Sequence, residues 1–147
     1  MDRGVAVLLA AVFGGIVALQ PPVNAELGRF TGSWPAVLIN FAVGTIALAV
    51  IVVIMGDIGG VGQARHAPWW SVVGGGLLGA AFVATAAITV RTLGVGALTA
   101  IIVAAQLTVA VVADQFALAG IEQRSITPSR LAGIALLLAG TYLIVRE

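Results

Sequence analysis

The sequence has no lysine and no cysteine, a single histidine (His66), and very little charge. Charged residues make up 9% of its 147 residues, whereas an ordinary soluble domain has about 25%. Such a chain cannot cover a water-facing surface with charge, which excludes a soluble enzyme. Seven arginines balance six acids without forming a basic patch, so nucleic-acid binding is excluded as well. The lack of cysteine excludes disulfides, thiolate chemistry and cysteine-based metal sites.

Apolar residues, 61% of the chain, fall into five runs that are long enough to cross a bilayer. Each run has about 18–23 residues, which at a rise of about 1.5 Å per residue crosses a hydrocarbon core about 30 Å thick. Backbone groups in hydrocarbon must pair within their own segment, so each run predicts a helix. We expect one all-α membrane domain, 1–147, with spans at about 4–25, 35–55, 69–90, 95–118 and 128–145.

The helix starts carry their own signals. A proline stands just inside three predicted starts, where a missing N–H leaves no bond unmade, and tryptophans lie beside them as in an interfacial aromatic belt. For the first span, the alternative is a signal peptide with a small-residue cleavage site at 23–25, which would leave four spans. The boundary residues are Trp34, Pro35, Pro68, Trp69, Trp70 and Pro128.

The arginines are divided almost evenly between the two sides of the predicted membrane domain. Four lie on the side of the amino terminus and three on the other side, so the positive-inside bias that normally sets orientation is nearly absent. Such a chain is expected to insert both ways and to meet a second copy as an antiparallel dimer. The alternative is a single orientation, set by His66, the amino terminus or a partner chain.

Polar side chains inside the first span are candidates for a substrate pathway. Gln20 and Asn24 are four residues apart, so they share a helix face beside Pro21 and Pro22. Each proline lacks an N–H and frees a carbonyl one turn earlier. We therefore expect a broken helix, with the prolines as its hinge and the amides positioned to hold a polar or cationic solute. The alternative is a kink in which the amides only repair the backbone.

Two further amides lie in other spans. Asn40 falls in the second span and Gln106 falls midway along the fourth, and both are assigned to the pathway. An amide at such a position needs a partner across a helix interface or in a water-filled cavity. For Gln106 a transport site and a structural contact are both open.

Two carboxylates lie near span ends rather than span centres. Asp114, near the end of the fourth span, either pairs with Arg91 or Arg130 or acts as a proton or cation site for coupling or gating. Glu26, at the end of the first span, is the second coupling candidate. No span carries a carboxylate at its centre, which argues against obligatory proton coupling through a buried acid.

Glycines at helical spacing predict close helix packing. Gly75 and Gly79 form a small-xxx-small pair in the third span, and Gly133 and Gly140 mark one face of the fifth. The partner helix belongs either to the same chain or to a second one.

Several motifs, in order along almost the whole chain, carry a family resemblance. On them the chain resembles the half-size, five-span YdcZ-like branch of the drug/metabolite transporter superfamily. The resemblance implies an inner-membrane helix bundle that pairs with a second copy or with a homologous five-span chain. Ten helices, arranged as an inverted repeat, would then form the transport unit with the solute path between the halves. The motifs are Gly15-x4-Gln20-Pro21-Pro22-Val23-Asn24, Asn40-Phe41-x2-Gly44-Thr45, Trp69-Trp70-x3-Gly74-Gly75-x2-Leu78-Gly79, Gln106-Leu107 and Arg130-Leu131-x-Gly133-x6-Gly140.

We therefore expect a multi-pass protein of the cytoplasmic (inner) membrane that works as an antiparallel homodimer. Its expected activity is alternating-access movement, in the export direction, of a small polar or amphipathic molecule. No cofactor and no metal site is expected. An enzyme is not expected, because the sequence has no Ser/His pairing, metal-ligand cluster or phosphate-cradling loop. The alternative function is a non-transporting scaffold or accessory subunit of a larger complex.

Overall fold

The computed structural model of the chain describes residues 2–117 and 123–146, and every regular element in these ranges is helical. This confirms the predicted all-α fold. The chain divides into two compact units, unit 1 (Met1–Thr92) and unit 2 (Leu93–Glu147). In chain order the elements are α1 (Arg3–Thr31), α2 (Ser33–Ile54), α3 (Ile58–Gln63), a 3₁₀ turn (Ala64–His66), α4 (Trp69–Gln115) and α5 (Pro128–Val145).

A single residue, Gly32, joins α1 to α2. Its backbone (φ 87°, ψ 156°) lies in a region that only glycine enters readily, because a Cβ would collide with the neighbouring peptide groups. Its N–H donates to the carbonyl oxygen of Gly28 at 3.0 Å, which closes the last turn of α1. The two helices pack against each other directly after this join.

The end of α1 differs from the prediction. The sequence predicts a polar link opening at Glu26 and Arg29, but α1 continues to Thr31. Within α1 these two side chains form an ion pair, with Arg29 Nη1 at 3.1 Å from Glu26 Oε2. Because side chains three residues apart are neighbours on a helix, the pair leaves the backbone hydrogen bonds intact. The helix therefore continues through these two charged residues instead of ending at them.

The Gly-rich stretch between the second and third predicted spans contains the short helix α3 and the 3₁₀ turn. It begins at Gly56, whose positive φ of 71° turns the chain away from α2.

The third and fourth predicted spans are both contained in α4. Its 47 residues, at about 1.5 Å each, are enough to cross a core about 30 Å thick twice. The backbone leaves the helical region at Gly94 (φ 74°, ψ 167°), so α4 consists of two helical segments, α4a (69–93) and α4b (95–115). The connection predicted over residues 91–94 is thus a single non-helical residue, Gly94. The fourth span, predicted to end at 118, ends its helix at Gln115, and residue 118 lies outside the described ranges.

By length and composition, α1, α2, α4 and α5 can each cross a membrane. Counting α4 as two segments gives the five predicted spans. Unit 1 has a small core, in which Val37 of α2 packs against Val83, Ala84 and Ala87 of α4a. Most large apolar side chains are instead exposed along the helices. An apolar exterior around a small core suits a bilayer, which solvates the surface that a soluble protein would have to bury.

In unit 2, α5 has the predicted bounds. Thr127 caps the helix, with its Oγ1 accepting a hydrogen bond from the N–H of Arg130 at 3.3 Å, and Pro128 occupies the first turn. Thr141 in α5 donates its hydroxyl to the carbonyl oxygen of Ala100 in α4b at 3.2 Å. A side-chain bond to another helix's backbone therefore holds α5 beside α4b.

Candidate functional site

Two asparagines meet between α1 and α2. The Nδ2 of Asn40 donates to the Oδ1 of Asn24 at 2.5 Å. Asn24 is only 3% exposed, and its own Nδ2 has no hydrogen-bond partner among the described residues. A buried amide N–H without an acceptor costs about 1–3 kcal/mol. Such a donor marks a position where a further polar group belongs.

A half-open cavity of about 220 Å³ adjoins this asparagine pair in unit 1. Asn40 lines the cavity, and Gln20 of α1 lines it from the neighbouring helix. Asn24 does not line it and instead lies behind Asn40, to which it is bonded. The volume is below the roughly 300–1,000 Å³ of typical small-molecule pockets, so it suits a small solute. The remaining lining residues are Phe41, Gly44, Thr45, Leu48 and Val83.

One face of α2 forms most of the cavity wall. Its lining residues recur at positions 40, 41, 44, 45 and 48, the spacing of a single helix face. The hydroxyl of Thr45 is already used, because it donates to the carbonyl oxygen of Phe41 at 2.8 Å. The amides of Gln20 and Asn40 are therefore the main groups available to a polar solute. None of the seven described lining residues is ionisable.

Three of the four amides assigned to the pathway thus lie together in unit 1. Gln20 and Asn40 line the cavity, and Asn24 adjoins it through Asn40. The fourth, Gln106, is an exposed residue of α4b in unit 2. Its place in a pathway stays a prediction.

The double proline does not break α1. The helix runs through Pro21 and Pro22 to Thr31, which corrects the expected interruption. The two missing N–H groups remove two hydrogen bonds but leave the backbone helical on both sides of the prolines. Pro21 is buried and Pro22 half-buried. A hinge role for the two prolines stays a prediction.

Arg91 of α4a forms a hydrogen bond to the backbone near the end of α1. Its Nη2 donates to the carbonyl oxygen of Ala25 at 2.7 Å. The buried Gly28 makes room for the guanidinium, since a Cβ at that position would lie 3.1 Å from the same Nη2. From the sequence, Arg91 is predicted only as a partner for Asp114. The spacing of residues does not predict its hydrogen bond to a carbonyl 66 positions away.

The coupling candidate Glu26 is exposed on α1, where it bonds Arg29. In unit 2, Asp114 lies at the end of α4b and pairs with Arg130 of α5. Arg130 Nη1 is 3.2 Å from Asp114 Oδ2, and the two side chains are 30% and 28% exposed. Of the two arginines predicted as partners for Asp114, Arg130 is the one that pairs with it in the structure. Any role of either carboxylate in coupling or gating stays a prediction.

One of the four glycines predicted to mark close packing has a side chain of another helix within 4 Å among the described residues, and close packing at all four stays a prediction. A Cβ built at Gly79 would lie 4.0 Å from the ring of Phe41, in ordinary contact with the cavity wall. At Gly75, Gly133 and Gly140 a Cβ would meet nothing within 4 Å. Close approach at these three would need a partner helix that the described part of the chain does not supply. The tight position that the prediction missed is Gly28.

Among the described residues there is no group of three or more side chains that could hold a metal ion.

Apolar helices of spanning length, three of which line a small cavity, are the features of a multi-pass membrane protein. Residues 5–143 match the model of a family, DMT_YdcZ, whose description reads "Putative inner membrane exporter, YdcZ". Because the match covers nearly the whole chain, the chain belongs to this family, and it is a multi-pass protein of the inner membrane. Neither a curated protein nor a solved structure matches it.

Proposed function

We propose that two copies of this chain, inserted in opposite orientations, form an exporter that moves a small polar or amphipathic molecule by alternating access. The observation that carries the proposal is the cavity between α1, α2 and α4a, with the asparagine pair beside it. Polar groups inside a membrane span are expensive, and the unsatisfied Nδ2 of Asn24 has no structural use in the described chain. A passage for a polar solute gives these amides a function.

In this proposal the solute contacts Gln20 and Asn40, and α1 moves between two arrangements against α2. The prolines favour such movement, because they leave the carbonyls of Val17 and Ala18 without their helical N–H partners. A helix with two missing bonds bends at lower cost than an intact one. The pair Arg91–Ala25 holds the far end of α1 and limits the movement to the part that carries the cavity.

Two observations support the presence of a second copy in this proposal. The cavity is half-open within one chain, so something outside unit 1 has to close it before a solute can be shielded from water. The arginines are split four to three between the two membrane sides, so opposite insertion is accessible to the same sequence. The open surface at Gly133 and Gly140 and the exposed amide of Gln106 are then available to the partner.

The experiment is a flux measurement that presumes no particular solute. The purified chain is placed in liposomes loaded with protein-free small-molecule extract, and mass spectrometry records which solutes leave. We expect a limited set of solutes to be lost from these liposomes and retained by protein-free ones. Retention of every solute would contradict the proposal and favour the scaffold alternative, which a stable hetero-complex isolated from membranes would support.

A further inference from the structure

We infer that the cavity lined by Gln20 and Asn40 binds an uncharged molecule that presents a hydrogen-bonding group, such as a carboxamide, next to a small apolar body. This inference rests on the proposed function and names the substrate class of the same site. Three properties of the cavity carry it: the charge of its lining, the state of its amides, and the apolar part of that lining.

The first property is the absence of charge. The seven described lining residues include no acid, arginine or histidine. The nearest ionisable group along α1 is Glu26, about 9 Å further along the axis from Gln20, and it is bonded to Arg29. Arg91 directs its Nη2 to the carbonyl oxygen of Ala25. A charged solute in the cavity would lose its water without gaining a counter-charge, so the site disfavours cations and anions alike.

The second property is the spare hydrogen-bonding capacity of the two lining amides. Asn40 donates one N–H to Asn24 and keeps its second N–H and its Oδ1. Gln20 contributes a second amide, which has both a donor and an acceptor. Thr45 contributes no donor, because its hydroxyl is bonded to Phe41. The amide end of the cavity is therefore matched to a polar group that both accepts and donates hydrogen bonds, as a carboxamide does.

The third property is the apolar part of the lining, which α2 and α4a form together. Phe41, Leu48 and Val83 present an aromatic ring and branched aliphatic groups to the same cavity. Such a wall gains from contact with an apolar surface and offers nothing to a second polar group. The bound molecule is thus polar at one end and apolar at the other, and small enough for a volume of about 220 Å³.

The test compares three probes of nearly equal size that differ in charge: phenylacetamide, phenylacetate and 2-phenylethylammonium. Each is added to the purified full-length chain in detergent, and its effect on the thermal unfolding midpoint is measured across a concentration series. We expect phenylacetamide to raise the midpoint, with an apparent affinity at least tenfold higher than that of either ion. Equal or stronger stabilisation by an ion, or no stabilisation by the amide, would overturn the inference.

The variant for this test is Asn24→Leu/Asn40→Leu, which removes both amides together and leaves no partnerless asparagine behind. The midpoint of this variant should not respond to phenylacetamide. Thr89→Val is the matched control, because its hydroxyl is bonded to the carbonyl oxygen of Thr85 in its own helix at 2.7 Å. The control should keep the full response, and a full response in the double variant would contradict the assignment of the site.

The flux experiment separates this inference from the function on which it rests. If the liposomes lose only charged solutes, the result supports export by this protein and contradicts an uncharged substrate. If they lose no solute while phenylacetamide alone stabilises the chain, the result supports the binding site and contradicts the export function.

Discussion

Asn24 and Asn40 bond each other across the α1–α2 interface, yet Asn24 keeps a buried donor without a partner. The unpaired donor distinguishes the two asparagines from polar residues whose hydrogen bonds are all made within their own helix. The hydroxyls of Thr45, Thr89 and Thr108 each donate to a carbonyl oxygen one turn earlier in their own helix, as threonines in membrane helices commonly do. At the scale of single residues, the amides are therefore the groups with hydrogen-bonding capacity to spare.

The first prediction concerns the stability of the asparagine pair. Asn40→Leu should lower the free energy of unfolding by about 1–3 kcal/mol, because it leaves the buried Oδ1 of Asn24 without its donor. Adding Asn24→Leu should recover most of the loss, since no buried amide then lacks a hydrogen-bond partner. Denaturation of the four chains in detergent gives the double-mutant cycle. Additive losses would show that the two amides do not interact.

The second prediction concerns transport by the same residues. Gln20→Ala and Asn24→Ala should each abolish solute loss from loaded liposomes while leaving expression intact, because they remove the polar end of the pathway. Thr89→Val, whose hydroxyl serves its own helix, should transport at the normal rate. Normal transport by both alanine variants would exclude these amides from the pathway.

The sequence predicts that Gln20 and Asn24 lie on one face of α1, but it does not predict which residues they meet. Helical spacing places Gln20 and Asn24 on one face of α1, and both lie at or beside the cavity. The contact of Asn24 with Asn40 depends on how α2 returns after Gly32, which no periodicity encodes. The bond from Arg91 to Ala25 likewise joins positions that only the packed helices bring together. Local rules find candidate residues, whereas their partners come from tertiary packing.

At the scale of helices, glycine positions decide where the chain turns and where another side chain comes close. Gly32 and Gly94 both adopt a positive φ with an extended ψ, and each replaces what the sequence predicts to be a longer polar connection. Hydropathy and capping signals correctly locate α5, with Thr127 and Pro128 at its start. They miss the end of α1, because the ion pair between Glu26 and Arg29 lets charged residues remain helical.

The third prediction tests the backbone at Gly94. Gly94→Ala should lower the free energy of unfolding by about 1–3 kcal/mol, because φ 74° and ψ 167° are strained for any residue with a Cβ. Gly96→Ala is the matched control two positions later, where a Cβ meets nothing within 4 Å. It should be neutral or slightly stabilising, since alanine favours a helix over glycine. Equal stability of the two variants would contradict the positive φ at Gly94.

The fourth prediction tests the contact between Gly28 and Arg91. Gly28→Leu should lower the free energy of unfolding by about 1–3 kcal/mol, because its side chain displaces the guanidinium from the carbonyl oxygen of Ala25. The loss should be smaller in an Arg91→Met background, where there is no guanidinium to displace. Gly15→Leu, on the open surface of the same helix, is the control and should have little effect. An equal loss in both backgrounds would rule out this cause.

At the scale of the whole molecule, the near balance of arginines leaves almost none of the charge bias that normally sets one orientation. The membrane setting follows from composition, and the family match agrees with it. The pairing of copies does not follow from one chain, because the surfaces that would meet are simply exposed in it. Orientation therefore has to be measured.

The fifth prediction concerns that orientation. Reporters fused to the amino terminus should give signal on both sides of the membrane. Adding Gln63→Arg and Ser125→Arg should bias the chain to one orientation, and Thr31→Arg with Thr92→Arg should bias it to the other, because each pair raises the positive charge on one side. Each biased chain should be inactive alone, and co-expression of both should restore transport. Full activity of one biased chain by itself would contradict the antiparallel dimer.

The one-residue join at Gly32 has a consequence for any change of orientation in the membrane. A single residue reaches less than about 4 Å, so the end of α1 and the start of α2 must stay at the same face of a core about 30 Å thick. While both helices are folded, neither can be inverted in lipid without the other. Reorientation of the folded chain therefore has to carry α1 and α2 across together, as a hairpin.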